Sequence, residues 1–236
     1  MGFGVLVLSF LSLSEFYRLV NVGRFYQWSG YLCTIALVTL LLMKVKLAWL
    51  PILLLFFIHA VCHLVPGRGH RSPRFQSALV AVGFLFITQA LSFSIFIAFL
   101  PNGAWWLFLC VAATAFCDVG AFWVGKGFGR HKLSPRLSPS KTIEGALGEV
   151  LFSVLVALGV GQVLQIPWGH RMVMGLLIAL AAILGDLAES YVKRKVGVKD
   201  SGTLIPGHGG ILDRLDSHLF AIPTYFVYLT FVLLNR

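Results

Sequence analysis

Residues 76–124 read QSALVAVGFLFITQALSFSIFIAFLPNGAWWLFLCVAATAFCDVGAFWV, with Asp118 as the only charged residue. The stretch is long enough for two membrane spans, since about 20 helical residues cross roughly 30 Å of hydrocarbon. Strands of a membrane barrel would alternate apolar and polar residues, whereas residues 78–85 show no alternation. The stretch therefore predicts two transmembrane helices, over 76–100 and 104–124.

The composition extends this interpretation to the whole chain. Of its 236 residues, 58% are hydrophobic and only 12% are charged, and the mean hydropathy is +0.87. A water-soluble body of this size needs more polar surface than these residues provide. A soluble enzyme, a secreted disulfide scaffold and a disordered tail are therefore excluded. The four cysteines lie singly in apolar stretches without metal-ligand spacing, and we expect them to be small core residues.

Hydropathy windows of about 19 residues predict eight transmembrane helices and hence an all-α, polytopic integral membrane protein. The predicted spans are 2–17, 28–43, 48–65, 76–100, 104–124, 145–164, 170–189 and 217–234. The sequence contains no internal repeat, low-complexity tract or long linker. This favours a single membrane-embedded domain over residues 1–236.

The basic residues predict the orientation of these helices. Connections 18–30, 66–75, 125–144 and 190–216 fall on one side of the membrane and contain most of the 19 Lys and Arg residues, the exceptions being Lys44, Lys46, Arg171 and Arg236. Because positively charged loops stay in the cytoplasm, this side is predicted to face the cytoplasm, with both termini outside and the protein in the cell (inner) membrane. The net charge of +10 is then mainly a topology signal, and nucleic-acid binding is not predicted.

Acidic residues concentrate toward this predicted cytoplasmic side. Asp118, Glu149 and Asp186 lie inside predicted spans, where ionisable groups are costly and usually face a cavity. A site is therefore predicted at the cytoplasmic ends of the helices. Four polar residues at i, i+3, i+4 and i+7 share one helical face there; they are Asp186, Glu189, Ser190 and Lys193.

Two further carboxylates, Asp213 and Asp216, are one helical turn apart. Clustered carboxylates without His or Cys ligands suit a hard cation such as Mg²⁺, which prefers oxygen ligands and substrate phosphates. The alternative is ordinary ion pairing with Arg214 or Lys193. The sequence around His208 favours the metal, because glycines and basic residues cluster in the same connection.

Two basic connections provide the charge that an anionic ligand needs. Arg offers paired donors and Lys a compact charge, so together with Mg²⁺ they suit a polyphosphate, although topology explains any single one equally well. The basic residues are Lys126, Arg130, Lys132, Arg136 and Lys141 in connection 125–144, and Lys193, Arg194, Lys195, Lys199 and Arg214 in connection 190–216. His208 is a candidate phosphate ligand or proton carrier.

Residues 190–216, SYVKRKVGVKDSGTLIPGHGGILDRLD, closely resemble the hallmark motif of the phosphatidate cytidylyltransferases, also called CDP-diacylglycerol synthases. A second stretch is similar to the family's other characteristic segment, through DVGAF (118–122), GRHKL (129–133), SP (138–139), KT (141–142) and EG (144–145). Two positions depart from the family pattern: Phe122 stands where Tyr is frequent, and Glu149 where a Gly commonly follows Gly148.

The resemblance implies a polytopic helical enzyme that uses Mg²⁺ to join CTP to phosphatidic acid, giving CDP-diacylglycerol and pyrophosphate. On the family pattern, Asp186 and Asp213 are expected to be metal carboxylates, with Asp216 beside them. We predict catalytic roles for Asp186, Asp213 and Lys193. Substrate contacts are predicted for Lys141, Ser190, Arg194, Lys199, His208 and Arg214.

Two alternatives stay open at this point. The basic loops are also compatible with a non-catalytic transporter or binding protein for anionic phospholipids. A nucleotidyltransferase that acts on another lipid phosphate is the second alternative. The partners expected on the main interpretation are CTP, phosphatidic acid and membrane lipids, and assembly as a homodimer stays open.

Overall fold

The computed structural model describes residues 1–44, 72–135, 137–204 and 209–234. The predicted span 48–65 lies outside these residues, as do Cys62, Arg136 and His208. The remaining three cysteines are free and buried, as predicted.

The structure is built mainly from helices. They are α1 (Gly2–Leu19), α2 (Arg24–Leu42), α3 (Pro73–Gly83), α4 (Ala90–Ala98), α5 (Gly103–Phe128), α6 (Ile143–Val163), α7 (Trp168–Lys195) and α8 (Leu212–Tyr228). Two short π-helical segments extend them: Phe84–Gln89 joins α3 to α4, and Leu229–Leu233 follows α8.

Six helical segments of the described chain are long and apolar enough to cross a membrane. They are Gly2–Leu19, Arg24–Leu42, Pro73–Ala98, Gly103–Phe128, Ile143–Val163 and Trp168–Lys195, and they confirm the predicted class of helical membrane protein. Large apolar side chains are exposed on them, including Phe116, Leu151 and Leu155, as expected for contact with hydrocarbon. The predicted span 217–234 corresponds to α8 and its π-helical extension, which are not among the six, and the count of eight stays a prediction.

The connection predicted over 125–144 contains more regular structure than expected. Helix α5 continues to Phe128, and strand β1 (Lys132–Ser134) then pairs antiparallel with β2 (Ser138–Thr142). This hairpin corrects the purely α-helical prediction. The connection predicted over 190–216 is shortened at both ends, because α7 continues to Lys195 and α8 begins at Leu212. Apolar windows stop where charges begin, so they miss helical turns that extend beyond the hydrocarbon.

The residue contacts divide the chain into two compact units, and the single domain predicted over 1–236 stays a prediction. The first unit contains Met1–Ile95 and Asp200–Arg214. Its core includes the fully buried Tyr17, whose hydroxyl donates to the Val80 carbonyl at 3.4 Å. Gly83 leaves room for this ring, because a Cβ there would lie 2.9 Å from Tyr17 Cε1. Tyr17 thereby holds α1 against α3.

The second unit contains Phe96–Lys199 and Leu215–Arg236. Small residues let its helices approach closely, as is common in membranes. A Cβ on Gly148 of α6 would lie 2.5 Å from the Gly120 carbonyl oxygen of α5. Ser153 of α6 donates its hydroxyl to the Gly175 carbonyl of α7 at 2.8 Å. These contacts pack α5, α6 and α7 together.

We expect Gly148→Ala to destabilise the protein, because the added Cβ would crowd the Gly120 carbonyl oxygen and would lie 2.7 Å from Val124 Cβ. Overpacking of this kind typically costs about 1–3 kcal/mol, so the thermal midpoint in detergent should fall. Gly159→Ala on the same helix is the matched control, since nothing lies within 4 Å of its added Cβ and Ala favours a helix. A Gly148→Ala midpoint equal to or above that of the control would contradict this packing.

Candidate active site

A cluster of three charged side chains joins three elements of the second unit. Lys141 on β2 places its Nζ 2.5 Å from Asp186 Oδ2 on α7 and 3.5 Å from Glu149 Oε1 on α6. The exposed fractions of these side chains are only 17% for Lys141, 25% for Asp186 and 5% for Glu149. Two carboxylates therefore share one ammonium group in surroundings where an unpaired charge is costly.

The neighbours of Lys141 keep its side chain protonated. Burial alone would lower the pKa of the ammonium group, but the negative charges of Asp186 and Glu149 outweigh burial and raise this pKa above its ordinary value. Lys141 is therefore a stable cation with donors suited to phosphate oxygens.

The hairpin that carries Lys141 is anchored at its base. The Glu144 carboxylate accepts hydrogen bonds from the backbone N–H groups of Arg130 and His131, at 3.1 and 3.2 Å. Its other oxygen lies 2.6 Å from His131 Nδ1. Thr142 caps α6, since its Oγ1 accepts a backbone N–H from the first helical turn at 3.0 Å. These bonds fix Lys141 just ahead of the helix.

A cavity of about 390 Å³ lies beside the cluster, within the usual range of about 300–1,000 Å³ for ligand sites. Residues of α5, β2, α6 and α7 line it, and its walls combine both signs of charge with hydroxyl residues. The polar lining residues are Asp118, Lys126, Ser140, Lys141, Thr142, Glu149 and Asp186. The cavity thus offers cations to an anionic ligand and carboxylates to a cation.

The four polar residues predicted to share one helical face do so on α7. Ser190 Oγ donates to Asp186 Oδ1 at 3.3 Å. Lys193 Nζ lies 3.4 Å from Glu189 Oε1. Both contacts join residues one turn apart, which confirms the helical spacing inferred from the sequence.

Arg194 and Lys199 lie at and beyond the end of α7. Arg194 donates from Nε to the Leu137 carbonyl and from Nη1 to the Val198 carbonyl, both at 3.3 Å. Lys199 is exposed. Arg194 therefore ties the end of α7 to the hairpin, a role that the sequence did not indicate, and contact of either residue with phosphate stays a prediction.

Asp216 comes close to α7 within the second unit. A Cβ on Gly185 would lie only 2.5 Å from the Asp216 carbonyl oxygen, so glycine is needed for this approach. Burial, reinforced by the negative charge of Asp186, raises the pKa of the Asp216 carboxyl to about 6. Two such carboxylates offer the oxygen ligands that a hard cation prefers. Among the residues that the structure describes, no three His, Cys, Asp or Glu side chains are grouped to hold a metal ion by themselves.

Asp213 belongs to the first unit, where the chain folds around its carboxylate. The carboxylate accepts the backbone N–H of Ser201 at 2.9 Å, the Ser201 hydroxyl at 2.9 Å and the Gly210 N–H at 2.7 Å. Gly209 has a φ of +80°, and a Cβ there would lie 2.6 Å from Asp213 Oδ2. Glycine tolerates this left-handed backbone at little cost, so the segment can close tightly on Asp213.

The predicted site residues are distributed over both units. Asp213 and the exposed Arg214 belong to the first unit, and His208 lies outside the described ranges. The second unit contains Lys141, Asp186, Ser190, Lys193, Arg194, Lys199 and Asp216. Sequence reasoning missed that Lys141 pairs with Asp186 and Glu149. The only sequence signal for this pairing was that Asp186 and Glu149 are ionisable groups inside predicted spans.

Comparison with known sequences agrees with this chemistry. The chain matches the model of the cytidylyltransferase family over residues 1–232. It is 33% identical over 230 residues to the phosphatidate cytidylyltransferase of Staphylococcus aureus, which covers 92% of this chain and 85% of that protein. It is 48% identical over 140 residues to the phosphatidate cytidylyltransferase of Synechocystis, and this alignment covers 58% of this chain and 47% of that protein. It is also 33% identical over 233 residues to the uncharacterized protein YnbB of Escherichia coli, and this alignment covers 95% of this chain and 77% of that protein.

We expect Lys141→Met to destabilise the protein, because it leaves Asp186 and Glu149 without their shared cation. Removing one partner of a buried pair typically costs about 3–5 kcal/mol, and the partial exposure of Asp186 favours the lower end of that range. The double variant Lys141→Met/Asp186→Asn should lose less stability than the sum of the two single variants. Unfolding of all four proteins in detergent measures this coupling, and strictly additive losses would contradict a direct pair.

Proposed function

The chain belongs to the cytidylyltransferase family, and we propose that it is a phosphatidate cytidylyltransferase. In this role it joins CTP to phosphatidic acid and releases CDP-diacylglycerol and pyrophosphate. The observation that carries the proposal is the similarity to the Staphylococcus aureus phosphatidate cytidylyltransferase, which extends over 92% of this chain and 85% of that protein. The cavity beside Lys141 supports it, because both substrates are phosphate anions.

The reaction requires only the exchange of one phosphate bond for another. A phosphate oxygen of phosphatidic acid forms a bond to the α-phosphorus of CTP. The bond between that phosphorus and the oxygen bridging to the β-phosphate breaks, and its electron pair leaves with pyrophosphate. Catalysis then consists mainly of bringing two anions together and stabilising the charge on the leaving group.

The phosphate contacts are proposed to come from a subset of the basic residues. Lys141 is the best placed of them, because it is a protonated cation in the wall of the cavity. Lys193 of α7 is proposed to act as a catalytic cation. The other proposed substrate contacts are Ser190, Arg194, Lys199, His208 and Arg214.

Magnesium is the proposed cofactor, held by Asp186, Asp213 and Asp216. When bound, it would supply positive charge that offsets the charge of the departing pyrophosphate. The donor chemistry fits this ion, since carboxylate oxygens are the ligands that Mg²⁺ prefers. Burial, and after it the negative charge of Asp186, raises the pKa of the Asp216 carboxyl, so a bound dication would favour its ionised form.

We propose that the site faces the cytoplasm from the inner membrane. The hairpin and the end of α7 contribute many of the basic residues, including Lys132 and Lys195, and such residues are retained on the cytoplasmic side. A site at the ends of apolar helices also meets the needs of the reaction, because CTP is dissolved in water whereas phosphatidic acid lies in the bilayer.

The activity is tested by incubating detergent-purified protein with CTP, phosphatidic acid and Mg²⁺. We expect equimolar CDP-diacylglycerol and pyrophosphate, loss of both products after chelation with EDTA, and recovery on adding Mg²⁺. Asp186→Asn should lower kcat by about 100-fold or more, because it would weaken the hold on the Mg²⁺ that offsets charge on the leaving group. Binding of phosphatidic acid without product would favour the transporter alternative. Product only with another lipid phosphate, such as a polyprenyl phosphate, would favour the second alternative.

Two lysines near the end of α7 allow a matched comparison of the phosphate contacts. We expect Lys193→Gln to lower kcat/KM for CTP by about 10-fold, because a charge-assisted hydrogen bond contributes about 1.5–3 kcal/mol. Lys195→Gln should retain wild-type kinetics, since Lys195 is exposed and its Nζ lies over the Tyr191 ring, 5.6 Å from the ring centre. Steady-state kinetics on preparations with equal thermal midpoints provide the measurement, and equal losses in the two variants would count against the assignment of Lys193.

A further inference from the structure

A buried carboxylate of α1, Glu15, has no role in the site described so far. Its exposed fraction is only 1%, although α1 is apolar enough to cross a membrane. A buried charge of this kind is costly unless it is paired or hydrogen-bonded. Glu15 and residues 200–214 belong to the same compact unit, and its hydrogen-bond partners are found there.

Glu15 caps the start of α8 from outside that helix. Its Oε1 accepts the backbone N–H of Ile211 at 3.1 Å, and its Oε2 accepts the N–H of Leu212 at 2.8 Å. Amides at the start of a helix have no partner within the helix, and a negative charge is favourable at that end. The Glu15 carboxylate therefore satisfies two amides that the helix itself leaves unpaired.

Two glycines make room for this carboxylate. A Cβ on Gly202 would lie 2.8 Å from Glu15 Oε1, and a Cβ on Gly210 would collide with Glu15 Oε2. The backbone at Gly202 and Gly210 therefore approaches Glu15 directly, without an intervening side chain.

The same segment orients Asp213. Ser201 links the two carboxylates, because its Oγ lies 2.9 Å from Asp213 Oδ2 and 3.3 Å from Glu15 Oε2. Gly210 also contacts both, since its N–H donates to Asp213 at 2.7 Å while its Cα faces Glu15. Any displacement of the segment from Glu15 would therefore move the donors that hold Asp213.

We infer that Glu15 is a positioning residue, which holds Ser201, Ile211 and Leu212 and thereby fixes Asp213 for the transfer reaction. The inference rests on the proposed function, because it is that function which gives Asp213 a place in the site. Glu15 acts through Asp213 and is not itself a catalytic residue. Misplacing a catalytic group by 1 Å costs about 100-fold in rate, so loss of this support should be evident in kcat.

The test compares Glu15→Gln with Thr34→Val. Gln keeps the volume of Glu15 but has only one acceptor oxygen, and it turns an NH₂ donor toward groups that also donate. We expect kcat to fall at least about 10-fold, from the loss of a charge-assisted hydrogen bond, and the amides of 211 and 212 to exchange hydrogen faster. Thr34→Val removes a buried hydrogen bond of 2.9 Å to Thr88 in the same unit, and it should change neither kcat nor exchange at 211 and 212.

The readouts separate this inference from the proposed function. If the wild type makes no CDP-diacylglycerol, the proposed function fails, whereas hydrogen exchange still measures whether Glu15 holds the segment. Wild-type kcat in Glu15→Gln overturns the inference, because a role in packing alone would be preserved by Gln. A lowered kcat with unchanged exchange at 211 and 212 overturns it as well.

A second variant covers the case in which Glu15→Gln does not fold. Ser201→Ala removes the hydroxyl shared by Glu15 and Asp213 but leaves the Ile211 and Leu212 amides bound to Glu15. We expect a fall in kcat of about 5-fold, consistent with one hydrogen bond of about 1 kcal/mol. Unchanged kcat in Ser201→Ala would then overturn the link between Glu15 and Asp213.

Discussion

The ion pair between Lys141 and Asp186 determines where the polar elements of the second unit meet. A chain that is 58% hydrophobic can bury a carboxylate only where a positive charge or hydrogen-bond donors compensate it, because burial without a partner is costly. The Lys141 ammonium lies 2.5 Å from Asp186 and 3.5 Å from Glu149, so β2, α6 and α7 must converge on one point. Close packing at Gly148 and Gly175 permits that convergence, and the cavity lies beside it.

The two units hold the carboxylates of Asp186 and Asp213 by different means. In the second unit a side-chain cation compensates Asp186, so a carboxylate and an ammonium group are brought together by one contact. In the first unit backbone amides and the Ser201 hydroxyl hold Asp213, and the segment that supplies them rests on Glu15. Both arrangements fix a carboxylate before any ligand binds, which favours catalysis that depends on positioning and electrostatics.

Much of this architecture could be predicted from local sequence patterns. Apolar length identified six helices, and the i, i+4 spacing correctly placed Ser190 beside Asp186. The hairpin was missed because its strands are short and polar, and hydropathy windows respond only to apolar length. The pairing of Lys141 with Asp186 and the contact of Glu15 with Leu212 join residues that are far apart in sequence, so their partners depend on tertiary packing. The only sequence signal for Glu15 was a carboxylate inside an apolar span.

Transfer of the cytidylyl group of CTP to a lipid phosphate is the reaction proposed for this protein. It is tested most directly by following the fate of individual CTP phosphates in a reaction with phosphatidic acid and Mg²⁺. With CTP labelled at the α-phosphorus, the account predicts that label enters the lipid product, and with CTP labelled at the γ-phosphorus, it predicts that label appears only in pyrophosphate. Transfer of γ-label to the lipid, or no transfer of α-label by folded protein, would contradict it.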